Sequence, residues 1–72
     1  MKNKLYYLSR TDGADMDEII DMVVVAADAE QAKRDSLGFG EFWAAYQDIK
    51  VEYIGDTHLP LGYLVMTATN AG

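Results

Sequence analysis

Five carboxylates fall within ten positions of this chain: Asp12, Asp15, Asp17, Glu18 and Asp21. Oxygen ligands at alternate positions with a glycine to turn the backbone are what a calcium site needs, and the run Asp12-Gly13-Ala14-Asp15-Met16-Asp17-Glu18 is close to that composition. Its spacing does not match the helix–loop–helix calcium pattern, and strand-like sequence flanks it, so no metal is expected. Burying several like charges together is costly, so the segment reads as a solvated loop. A cluster of exposed carboxylates can engage a basic protein surface, including one that ordinarily receives nucleic-acid phosphates.

Other chemistry is poorly supported. Ser9, Ser36 and His58 are raw material for a Ser-His-Asp arrangement, but none sits in a nucleophile-elbow context. One histidine and no cysteine leave too few ligands for zinc. The glycines at 38, 40, 55 and 62 make no phosphate-cradling pattern after a strand. No catalytic residue and no cofactor are expected.

Phe39, Phe42, Trp43 and Tyr46 stand at i, i+3, i+4 and i+7, the spacing of one helical face. Such a set belongs first to a core. In so short a chain not all four can be buried, and Phe42, Trp43 and Tyr46 are the candidates for interface anchors.

The elements that must position these residues follow from local pattern. Lys4 to Ser9, containing Leu5-Tyr6-Tyr7-Leu8, reads as a first strand, and Arg10-Thr11-Asp12-Gly13 as a turn. Ile19 to Ala27 reads as a second, interior strand, because its Val23-Val24-Val25 run suits cover on both sides. Asp28 matches a helix N-cap with Gln31 completing a capping box, Glu30 and the Lys33-Arg34 pair suit the helix dipole, and Gly38 is the expected stop. From Gly38 to Asp48 a loop and then one or two helical turns are expected, since two glycines weaken the start of the aromatic face. Ile49 to Tyr53 alternates as a third strand, Gly55 to Gly62 reads as a loop, and Tyr63 to Ala68 as a fourth strand, the last two strands suggesting a second hairpin. The expected fold is α+β, in the order β-β-α-β-β, with a mostly antiparallel four-stranded sheet and one short helix on one face.

The 72 residues are expected to form one small domain, 1–72, without disulfides. Half the residues are apolar, more than a disordered acidic tail carries. Twelve acidic residues against six basic ones leave a net charge of −6, which disfavours direct contact with nucleic acid or an anionic membrane. Neither a signal peptide nor a membrane span is expected. The abundance of aromatic surface suggests a homodimer covering a sheet face or edge.

Leu5 to Asp12, the strand–helix join Val23 to Arg34, Val51-Glu52-Tyr53-Ile54-Gly55 and the ending Asn70-Ala71-Gly72 resemble small uncharacterised proteins encoded by bacteriophages and prophages. Small acidic phage proteins of this kind include anti-CRISPR proteins and other inhibitors of host enzymes. The resemblance implies a non-enzymatic inhibitor or adaptor in the cytoplasm of a bacterial host cell, and it carries no residue-level motif. The expected function is therefore binding and inhibition of a host nucleic-acid-handling complex through the acidic segment. The alternative is an accessory subunit of a phage or bacterial assembly, joined through a sheet edge and the aromatics.

Overall fold

The computed structural model describes residues 2–12, 19–39 and 43–69. Four strands, β1 (Asn3–Arg10), β2 (Ile19–Ala26), β3 (Ile49–Thr57) and β4 (Leu64–Thr69), form one sheet, with a helix α1 (Ala29–Ser36) between β2 and β3. A single 3-10 turn, Tyr46–Asp48, leads into β3. The α+β class and the β-β-α-β-β order are those expected from the sequence.

The strand order is β3-β1-β2-β4, and every neighbouring pair is antiparallel. β1 and β2 are the interior strands, joined in sequence and in register from Lys4 opposite Ala26 to Ser9 opposite Asp21. Because β2 and β3 are each antiparallel to β1, they run parallel to one another, and α1 carries the chain from one to the other past β1. A hairpin between the last two strands is not formed. β3 and β4 lie at opposite edges, and β3 continues through Gly55 and Asp56 to Thr57, where a loop was expected. The link from His58 to Tyr63 must pass three inter-strand spacings of roughly 4.8 Å each, well within the reach of its length. It contains a turn in which the Tyr63 amide donates to the Pro60 carbonyl at 3.2 Å. Gly62 holds φ at 81°, as position i+2 of a type II turn requires.

The join between β2 and α1 forms as its residue types dictate. Asp28 is extended, and its Oδ1 accepts from the Gln31 amide at 2.8 Å. The Gln31 side chain reaches back one residue beyond the cap, accepting from the Ala27 amide at 2.9 Å. The helix does not end on a left-handed Gly38. Leu37 is a right-handed C-cap, and successive amides at Leu37, Gly38 and Phe39 donate to the carbonyls three residues back.

Alternation along the strands gives the sheet two unlike faces. Tyr6 and Leu8 of β1, Met22, Val24 and Ala26 of β2, and Ile49 of β3 are buried on the face that carries α1, with Ala32 of the helix and Ala44. Ile19, Phe39, Trp43, Val51 and Leu64 pack around them. Full burial of a side chain such as Leu8 or Val24 stabilises by about 1.5–3 kcal/mol. Tyr6 adds an edge-on contact with Tyr53, ring centroids 5.9 Å apart. The alternate residues Leu5, Tyr7, Ser9, Asp21, Val23 and Val25 point to the other face, joined by Lys50 and Glu52 of β3 and by Met66 and Ala68 of β4. α1 lies on the opposite side; on this face Val25, beside the link at Gly62 and Tyr63, is buried, whereas Leu5, Tyr7 and Val23 are half-buried and Met66 is exposed.

Candidate protein-binding surface

On the face opposite α1, Tyr7 stands on β1 and Asp21 near the start of β2. The Tyr7 hydroxyl donates to Asp21 Oδ2 at 2.8 Å. The second oxygen, Oδ1, is buried and has no hydrogen-bond donor among the described residues. Asp21 thus lies in the second strand, expected to begin at Ile19, although in sequence its charge falls with the acidic loop before it. β2 does begin at Ile19, and the Asp21 carboxylate is half-buried among strand side chains. The hydrogen bond to Asp21, helped by burial and by the nearby Asp21 and Glu52 charges, raises the Tyr7 pKa above its usual value of 10.0. Half-buried Leu5 and Val23 and exposed Met66 supply an apolar floor beside the pair. Leu5 is opposite Val25, Tyr7 is opposite Val23, and Val23 is opposite Met66, so these side chains form a continuous patch across three strands.

Asp12 lies beyond the end of β1 and is engaged by its own chain. Arg10 Nε donates to Oδ1 at 2.7 Å and Nη2 to Oδ2 at 3.0 Å, a two-pronged pair that holds the Asp12 carboxyl below its usual pKa of 3.8. Arg10 Nη1 also donates to the Ile19 carbonyl at 3.1 Å, fastening the end of β1 to the start of β2. Asp15, Asp17 and Glu18 lie outside the described residues, as does Phe42. Of the acidic determinants, the structure thus places Asp12 in an internal ion pair and Asp21 on the open sheet face.

Among the described residues the aromatic segment is a loop at 43–45 followed by one 3-10 turn, Tyr46–Asp48. This is close to the loop and helical turn expected, and Trp43 and Tyr46 do not share one helical face. Trp43, Ala44 and Ala45 are outside regular structure, and Ala45 is extended at φ −67° and ψ 156°. Phe39 and Trp43 pack into the core from this irregular backbone. Trp43 Nε1 donates to Ser36 Oγ at 2.9 Å, and that hydroxyl donates to the Lys33 carbonyl at 2.7 Å. Tyr46 is separated from this group in role: it is exposed, with Lys33 Nζ 4.4 Å from its ring centroid.

The serines and the histidine are not brought together. Ser36 is fully buried with its hydroxyl engaged. Ser9 pairs with Lys50 near the start of β3, whereas His58 follows its last residue, Thr57. At about 3.3 Å per residue those two side chains belong to opposite ends of the sheet. Among the described residues no group of three or more His, Cys, Asp or Glu could hold a metal ion, and no helix is long and apolar enough to cross a membrane.

Two further surfaces were not singled out by residue type. Leu59, Leu61, Tyr63, Val65 and Met66 are all exposed along the β3–β4 link and β4. Tyr7 was hidden for a different reason: Tyr6 and Tyr7 look alike in sequence, and only the register sends Tyr6 to the core and Tyr7 to Asp21. The chain matches no family model, no curated protein and no solved structure.

Proposed function

We propose that this protein is a non-enzymatic binding protein whose contact surface is the sheet face opposite α1. Its occupant is a protein segment that places an arginine or lysine at Asp21 and apolar side chains over Leu5, Val23 and Met66. The observation that carries this reading is the buried Asp21 Oδ1 without a donor among the described residues, beside half-buried Leu5 and Val23 and exposed Met66. A carboxylate oxygen withdrawn from water and unpaired is unfavourable, and a cationic donor relieves it with a charge-assisted hydrogen bond. The net charge of −6 favours encounter with a basic partner in the same sense. A host nucleic-acid-handling complex offers such a basic surface, and inhibition of one by occupying it is the form of the function that the resemblance to phage proteins suggests.

The test is capture of purified basic, nucleic-acid-binding bacterial proteins on the immobilised chain, compared across variants and salt concentrations. Retention that falls with salt and is lost in both Asp21→Ala and Val23→Lys supports the reading. Retention indifferent to both substitutions defeats it. An accessory subunit of a phage or bacterial assembly is the second reading, favoured by the exposed apolar side chains of β4 and the link before it. Its signature is retention that survives at Asp21 and Val23 but is lost on replacing Tyr63 or Val65 by lysine.

A further inference from the structure

We infer that β4 is a dimerisation edge, pairing antiparallel with β4 of a second copy of this chain about a two-fold axis. The inference goes beyond the reading of the open face and uses different atoms. All twelve acidic and six basic residues lie at or before Asp56, and the stretch 57–72 contains none. The described part of that stretch forms the link from His58 to Tyr63 and the strand β4.

β4 is an edge strand, and no described strand lies beyond it. Edge strands present unpaired backbone donors and acceptors, and proteins ordinarily blunt them with charged side chains, proline or irregularities. The sequence of β4, Leu-Val-Met-Thr-Ala-Thr, contains no charge and no proline. The register of β4 against β2 shifts twice, at Val65 between Met66 opposite Val23 and Leu64 opposite Val24, and again where β2 steps from Ile19 to Asp21 against Thr69 and Ala68. Only the first inserts a residue in β4, so Met66–Thr69 is the uninterrupted segment free to pair. Tyr63, Val65 and Met66 are 47%, 41% and 47% exposed beside it. The opposite edge is protected in the ordinary way. β3 carries Lys50, Glu52 and Asp56, and its register against β1 shifts between Leu5 and Tyr6.

Charge also selects the occupant. An edge without formal charge cannot recognise a basic or acidic strand by its charge. Two copies that each carry −6 repel one another over most of their surfaces, and the β4 edge, Leu64–Thr69, is where they can meet through a strand that carries no charge of its own. A second β4 offers the same uncharged strand in return. Because the protected β3 edge cannot repeat the contact, the assembly closes at two copies rather than growing along the sheet. A two-fold axis perpendicular to the sheet places both helices on one side and both Asp21 patches on the other. The dimer would then present two binding faces on one continuous surface, and a partner with repeated sites would gain by avidity.

Sedimentation equilibrium of the full chain over a wide concentration range, with and without high salt, is the direct test. The expected result is a reversible species of twice the 8.0 kDa chain mass, little affected by salt. Thr67→Lys, at an exposed position in the pairing segment, should raise the dissociation constant by at least about tenfold while the circular dichroism spectrum stays unchanged. Val23→Lys, on the open face, should leave the dimer intact. Should Thr67→Lys fail to fold, hydrogen exchange of the natural chain decides the matter, since the Met66–Thr69 amides must become more protected as concentration rises. A monomer at every concentration, a folded Thr67→Lys dimer of unchanged affinity, exchange at those amides independent of concentration, or open-ended growth would each overturn the inference. Loss of the dimer with retention of a basic partner, or the reverse, separates failure of this inference from failure of the open-face reading.

Discussion

Tyr7 and Asp21 are joined across two strands by a 2.8 Å hydrogen bond, while the other oxygen of the same carboxylate is buried with no donor among the described residues. The hydroxyl is therefore the described side-chain donor to Asp21. Tyr7→Phe keeps the ring on the sheet but leaves both carboxylate oxygens without that support. In a half-buried setting the expected loss is about 1–2 kcal/mol in urea unfolding. The neutral hydroxyl is also the form the fold favours, because the Tyr7 pKa is raised above 10.0. Its contribution is fully present below the unfolded value and is lost as pH rises through the folded one. The gap between natural protein and Tyr7→Phe should thus be constant at neutral pH and narrow above about pH 10. An unfolding midpoint insensitive to the substitution would show that the bond contributes nothing.

The contrast between Asp28 and Asp21 shows which parts of this molecule are legible in its sequence. The cap at Asp28 depends on a partner three residues away, so local spacing was sufficient to read it. The strand position of Asp21 follows from local pattern, but its role does not, because its partner, Tyr7, is fourteen residues earlier and meets it only through the β1–β2 register. The edge positions of β3 and β4 were opaque for the same reason. Strand order is a set of long-range choices, and two neighbouring strands in sequence suggest a hairpin whether or not they pair. At the aromatic segment the spacing is the weaker guide: Phe39 and Trp43 reach one core, as a helical spacing implies, but from a backbone that is not helical between them and Tyr46 at residues 43–45.

Because the cap at Asp28 is local, its removal should act locally. Asp28→Ala leaves the Gln31 amide without its side-chain acceptor and should cost about 1 kcal/mol, whereas Asp28→Asn or Asp28→Ser should retain most of the stability. Thermal unfolding of the three variants tests this. Equal losses in all three would mean that Asp28 acts through its charge and not through the cap.

Gly62 allows a separate test of backbone geometry. A methyl group placed there meets nothing within 4 Å, so its cost comes from φ 81° and not from crowding. Gly62→Ala should destabilise by about 1 kcal/mol, and Gly62→Asn by less, because asparagine tolerates the left-handed region better. If alanine were as stable as glycine in urea unfolding, the turn would have to rearrange, and hydrogen exchange at the Tyr63 amide would report the loss of its bond to Pro60.

The Arg10–Asp12 pair predicts an acid-sensitive contribution. Arg10 lowers the Asp12 pKa below 3.8, so the stabilisation is present above that value and is lost as pH falls through the folded one. Asp12→Asn should therefore unfold slightly more easily than the natural protein near neutral pH, and the two should converge toward about pH 2. The difference should also shrink in high salt, since Asp12 is exposed. Arg10→Lys should be the more damaging change, because lysine cannot hold both Asp12 oxygens and the Ile19 carbonyl with one planar fork.

Ser36 is the polar side chain among the described residues that the core fully encloses, and its hydroxyl is engaged on both sides. It donates to the Lys33 carbonyl and accepts from Trp43 Nε1, so it ties the end of α1 to the chain that leads into β3. Ser36→Ala removes the acceptor and leaves a part-buried indole N–H unpaired, with an expected cost of about 1–2 kcal/mol. Trp43 is the single tryptophan, so indole emission reports the surroundings of this side chain and no other. The alanine variant should shift the emission, because the indole must lose its bond or turn to find water. Ser36→Thr keeps an acceptor but adds a methyl group at a fully buried position, and should be destabilised with the emission less altered. An unchanged spectrum and an unchanged midpoint in Ser36→Ala would show that the indole is held by packing against the core and not by the hydroxyl.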